Sequence, residues 1–188
     1  DGRTRFLHNV MGLWLLSESL RHWEPAATDA QRSSLLGELL AEAAKVSSDV
    51  PIFDVNDPAF LPSGDIPERI RSWYLAHGER APETRAEVVR CIIESLAEAF
   101  ASAVQEASRL ADHDVSVIHL VGGGSQNTLL CQATANRSGL RVVAGPTEAT
   151  AMGNMLIQAR ALGQLAPDLQ AVREVVARSS HVIEYLPR

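Results

Sequence analysis

Cysteine is scarce: only Cys91 and Cys131 occur among 188 residues. Two thiols are too few for a disulfide scaffold or a cysteine-built zinc site. Lysine is scarcer still, with Lys45 alone, so a phosphate loop of the Gly-Lys-Ser/Thr type has no lysine to use. Positive charge is in deficit overall, 17 Lys and Arg against 23 Asp and Glu for a formal charge of −6, and no basic block interrupts it. That argues against a nucleic-acid or anionic-membrane surface. It leaves room for a nucleotide, because phosphates are often held by backbone N–H groups rather than by a basic field. No apolar run approaches the ~20 residues of a membrane span. The chain also lacks an initiating Met and a signal-like apolar stretch, opening Asp1-Gly2-Arg3-Thr4-Arg5 as though cut from something longer. What is present, 46% hydrophobic and 21% charged residues, has ordinary globular balance. A reduced, cytoplasmic protein of one large domain or two small ones is the expectation.

Apolar spacing divides the chain near residue 110. From about residue 6 to 23, Leu7, Val10, Met11, Trp14 and Leu15 fall on one helical stripe, ended by Glu24-Pro25. A second helix is expected from about 29 to 46, with Leu35, Leu36, Leu39, Leu40 and Ala43 inward. The stretch 47–67 carries four prolines and reads as an ordered loop with a short strand at Ile52-Phe53. Asp65 as N-cap and Pro67 in the first turn open a helix that Gly78 closes. The longest helix starts after Thr84, with Glu87 at capping-box spacing. It runs to about Leu110 on a stripe of Val88, Ile92, Leu96, Ala99, Ala103 and Ala107.

Beyond 110 the period changes. Residues 115–121 form a β-branched run, 127–138 a helix with Gly139 after it, and 141–144 a second strand closed by Gly145-Pro146. Helices at 147–162 and 169–178 and a strand at 182–185 complete the pattern. Strand–loop–helix repeated twice is α/β logic, with ligand loops at the C-terminal ends of the strands.

The most informative peptide is Val121-Gly122-Gly123-Gly124-Ser125-Gln126-Asn127. Three glycines let backbone approach a ligand closely, and the following helix offers free N–H groups to an anion or a phosphorylated ligand. GxGxxG and the nucleophile elbow both require glycine where Asn127 stands. Ser125 is therefore a poor catalytic serine. A second loop, 144–154, again joins a strand to a helix, and small residues at Ala149, Ala151 and Gly153 would let a flat ring lie against it.

Together, the segments Ile118–Asn127 and Gly145–Asn154 resemble the FGGY family of carbohydrate kinases. Segments 5–16, 57–60 and 90–96 are similar to those of family members that act on L-rhamnulose, and the likeness covers nearly the whole chain. The resemblance implies ATP-dependent phosphorylation of L-rhamnulose at O1, with Mg²⁺ on the nucleotide. Other sugars of the family, fuculose, xylulose or a polyol, stay open, as does a non-catalytic nucleotide- or sugar-binding sensor. It implies two actin-like (ribonuclease H-like) domains with the active site between them, this chain being the C-terminal one with its first strands absent. Residues 1–110 would then be its mainly helical part and 111–188 its α/β nucleotide-binding part.

By the same resemblance Gly122, Gly123, Gly124, Ser125, Gln126 and Asn127 would contact ATP, Asn127 at the adenine end. Asn9 would contact the sugar. Ser17 stands where the family has a glutamine that touches ATP, and is shorter. The catalytic aspartate and the phosphate hairpin are expected in an N-terminal domain acting in cis, and the Ser-Gly-Thr segment that opens the C-terminal domain is also expected upstream of Asp1. The chain alone is not expected to be active.

Other tempting residues have plainer readings. The six histidines show no HxxxH or HxH pairing, and His119 reads as a strand residue. Asp54, Asp57 and Asp65 read as Asx turns and a helix cap rather than an acid–base or metal cluster. Trp14, Trp23 and Trp73 are read as aromatic packing within helices. Both cysteines read as small inert hydrophobes.

Overall fold

The computed structural model describes residues 6–188. Asp1 to Arg5, which include the first residue of the family-like segment 5–16, lie outside them. The chain divides into two compact units, Asp1–Asp114 and Val115–Arg188.

The first unit is helical, with α1 (Trp14–Trp23), α2 (Asp29–Ala43), α3 (Ile66–Ala76) and α4 (Arg85–Ala111). Side-chain caps set three of the starts. Thr28 and Gln31 form a capping box on α2, Asp65 accepts from the Glu68 amide at α3, and Thr84 and Glu87 form a second box on α4. The core gathers Leu15, Leu16, Leu39, Phe53, Phe60, Ile70, Tyr74, Ile92 and Leu96, all at most 5% exposed. Burying a large apolar side chain contributes about 1.5–3 kcal/mol, so this cluster holds the unit together.

α4 is the central element. Every residue from Val88 to Ala97 is buried, where a helix with one apolar stripe would bury about half. Arg90 and Glu94 lie inside that belt, 8% and 3% exposed, and pair at 2.7 Å. Arg90 Nη1 also donates to the Ala43 carbonyl at 3.3 Å, placing a cation at the C-terminal, negative end of α2.

Two sequence expectations are corrected here. α1 begins at Trp14, not near residue 6, and Leu7 is 78% exposed. The Met11 amide donates instead to Asn56 Oδ1 at 2.8 Å, so the stretch before α1 is tied to the 47–65 loop at Met11 rather than built into a helical ladder. No strand forms at Ile52-Phe53. Phe53 is buried, but its amide is satisfied by Ser95 Oγ at 3.2 Å, which removes the need for a partner strand.

The second unit holds β1 (Val117–Leu120), α5 (Thr128–Ser138), β2 (Arg141–Ala144), α6 (Ala149–Ala161), α7 (Leu169–Ser179) and β3 (Ile183–Tyr185). Its sheet has the order β1-β2-β3. β1 and β2 are parallel, with Val117 opposite Arg141 and Leu120 opposite Ala144. β3 returns antiparallel, Val142 facing Tyr185. α5 buries Cys131 and Ala135 against Val142 and Ala144, with Ile118, Leu120 and Tyr185 closing the cluster. The unit is thus mixed α/β, with a small sheet and one well-covered helix. α6 by contrast has no buried residue.

Candidate functional site

Because β1 and β2 are parallel, the loops that follow them leave the same edge of the sheet. Two backbone bonds stitch these loops together: Gly122 N–H to the Pro146 carbonyl at 3.2 Å, and Gly145 N–H to the Leu120 carbonyl at 2.8 Å. The Gly145–Pro146 peptide is cis.

Packing requires a bare Cα at Gly145 and does not require one at Gly123. Gly145 has φ +111°, and a Cβ there would stand 2.8 Å from the His181 carbonyl oxygen, so its bareness admits the segment entering β3. Around Gly123 a Cβ would meet nothing within 4 Å. Its bareness is unexplained by packing and leaves backbone exposed to whatever binds.

Gly123–Gln126 form a 3-10 turn. Ser125 is 7% exposed. Its hydroxyl donates to the Gly122 carbonyl at 2.7 Å, its amide reaches the same oxygen at 3.0 Å, and its own carbonyl accepts from the Cys131 thiol at 3.6 Å. Burial pushes that thiol up to about 11, so it is neutral and no nucleophile. Asn127, also 7% exposed, caps α5, its Oδ1 accepting from the Leu130 amide at 3.0 Å. Gly123 and Gln126 face solvent, and Gly124 does so in part. No residue from 121 to 127 carries a charge. The loop therefore offers bare backbone beside a helix N-terminus, a setting suited to an anionic ligand.

Sequence reasoning named six neighbouring residues, and the turn brings them together. It did not single out Gly145, Pro146 or His181. Their part rests on long-range backbone contacts; the Gly-Pro pair marks the end of a strand and the start of the family-like second loop, but nothing local shows which residues it meets.

Asn9 and Ser17 belong to the first unit. Asn9 is exposed in the segment before α1, and Ser17 Oγ donates to the Leu13 carbonyl at 3.3 Å. The acidic loop residues serve the backbone. Asp54 accepts from Asn56 N at 2.9 Å, Asp57 from Ala59 N at 2.8 Å, and Asp65 from Glu68 N at 2.9 Å. Among the described residues, no group of three or more His, Cys, Asp and Glu is placed to hold a metal. Nor is any helix among them long and apolar enough to cross a membrane.

The chain thus comprises a helical unit and an α/β unit that carries a glycine-rich loop after its first strand. Residues 1–162 match the C-terminal domain of the FGGY family of carbohydrate kinases, and the chain belongs to that family. Among curated relatives it is 35% identical over 188 residues to the rhamnulokinase of Bacteroides thetaiotaomicron, covering all of this chain and 37% of that protein. It is 38% identical to the rhamnulokinase of Halalkalibacterium halodurans over 97% of this chain and 37% of the relative. The rhamnulokinase of Klebsiella pneumoniae is also 38% identical, over 100% of this chain and 36% of the relative. The chain thus spans a little over a third of the length of these proteins.

Proposed function

We propose that this chain is the nucleotide-binding part of a cytoplasmic, ATP-dependent sugar kinase of actin-like (ribonuclease H-like) architecture, phosphorylating L-rhamnulose at O1. The carrying observation is Gly123, whose surroundings are open within 4 Å in a loop otherwise tied down by hydrogen bonds. That open backbone fits a phosphorylated ligand. Gly123, Gly124 and Gln126 would hold ATP, which supplies the transferable phosphoryl group, with Mg²⁺ carried on its phosphates, while Gly122, its backbone groups bonded to Pro146 and Ser125, would shape the turn. Asn9 would meet the sugar, and Ser17 would offer the nucleotide a shorter contact than the family's glutamine.

Phosphoryl transfer also requires a base for the sugar hydroxyl and stabilisation of developing charge. Both are assigned to a second domain in cis, since the relatives extend far beyond the stretch matched. The test supplies a full-length protein carrying this sequence with ATP, Mg²⁺ and a panel of L-rhamnulose, L-fuculose and D-xylulose. ADP release with L-rhamnulose, giving a 1-phosphate, is the expected result. Turnover of another ketose alone would move the substrate, and no ADP above background with any would remove the kinase reading.

A further inference from the structure

Of the loop residues expected to contact the nucleotide, Ser125 has every polar group committed inside the protein. Its N–H and hydroxyl both reach the Gly122 carbonyl, at 3.0 and 2.7 Å, and its carbonyl accepts from Cys131. Gly122 is held from its other side by Pro146, and its φ of +80° lies in the region that favours glycine. The two residues form one clamp: Pro146 fixes the Gly122 amide and Ser125 fixes its carbonyl. Gly123, next in the chain, is left bordering open space.

We propose that Ser125 is a positioning residue rather than a ligand contact, its hydroxyl locking the Gly122 carbonyl so that the Gly123 backbone is presented to the nucleotide. This rests on the nucleotide reading of the loop. Removing the hydroxyl deletes the shorter of the two hydrogen bonds to the Gly122 carbonyl, at a side chain only 7% exposed, and leaves the loop's exposed residues Gly123 and Gln126 unaltered. The loss should appear in nucleotide affinity and not in the chemistry step.

The test is steady-state kinetics of the full-length protein with Ser125→Ala, Ser125→Thr and Gly123→Val. S125A is expected to raise the ATP KM about fivefold, the equivalent of one net hydrogen bond. The sugar KM and kcat should stay within about twofold, and S125T, which restores the hydroxyl, should return the ATP KM to within about twofold of the unsubstituted protein. An unchanged ATP KM in S125A, or equal damage in S125A and S125T, overturns the assignment. If S125A does not fold, Ser125→Cys, a weaker donor of similar size, takes its place; an unchanged ATP KM there also overturns it. G123V separates the two levels. If it too leaves the ATP KM unchanged, the nucleotide reading fails; if it raises the ATP KM while S125A does not, only the positioning role fails.

Discussion

The amide of Gly122 and the carbonyl of Pro146 meet at 3.2 Å, and through this bond a loop after one strand is held by the loop after its parallel neighbour. The shape of the glycine turn thus depends on residues more than twenty positions away in sequence.

Gly145→Ala should be the most damaging small substitution at this edge. The added methyl would press on the His181 carbonyl at 2.8 Å and occupy a backbone at φ +111°. Steric overlap and left-handed strain together should cost about 2 kcal/mol or more. Thermal unfolding of the full-length protein reads it, and a midpoint equal to the parent's would refute the close approach.

Asn127→Ala should fray the start of α5 by about 1 kcal/mol, whereas Asn127→Asp, which keeps a side-chain acceptor, should not. Hydrogen exchange at the Leu130 amide, the group that Asn127 caps, is the local measurement. Equal protection in both variants would deny the cap.

Within α4, Glu94→Ala would leave Arg90 charged and buried at 8% exposure, at an expected cost of about 3 kcal/mol or more. The exposed Arg141–Glu184 pair at 3.1 Å provides the contrast, since Glu184→Ala should change stability by only about 0.5 kcal/mol. Similar melting shifts in the two variants would contradict the burial argument.

The capping box of α4 predicts a pH dependence. Amides of Thr84 and Glu83 hold the Glu87 carboxyl at about 2, below the ordinary 4.5, with Arg80 assisting. A depressed folded value gives stability that is present above the unfolded value and lost as pH falls toward the folded one. The gap in melting temperature between the parent and Glu87→Gln should therefore be full above 4.5 and close as pH approaches about 2. A gap independent of pH would assign the contribution to the neutral hydrogen bonds alone.

Features written in adjacent residues were legible. The strand Arg141–Ala144 was bounded correctly because Gly139 and Gly145-Pro146 punctuate it on both sides. The Thr84–Glu87 box and the Asp65 cap were visible as spacings. The Thr28–Gln31 box has the same spacing, and it is not among the caps named from sequence. Where local pattern and distant partner disagreed, the partner prevailed. Leu7, Val10 and Met11 keep helical spacing, yet the Met11 amide belongs to Asn56. Ile52-Phe53 is a short apolar pair in a proline-rich stretch and reads as strand, but Ser95 supplies the bond a strand would need. Arg90 and Glu94 stand four apart, a spacing usually seen on wet helix faces, so nothing local marked them as interior. At the candidate site the location of the turn was readable, but the inward direction of Ser125 and Asn127 was not. Their partners, Gly122 and Leu130, lie three residues away on either side, and which way each side chain turns is set by burial.

The unbroken belt from Val88 to Ala97 has a consequence for how this chain tolerates change. An ordinary surface helix accepts substitutions on its wet side, so its record of permitted residues rises and falls every three to four positions. Here that rhythm should vanish for the N-terminal half of α4 and return only near Ser102, which is exposed. Variation would then drift freely over the C-terminal half of the helix while its N-terminal half stays nearly frozen.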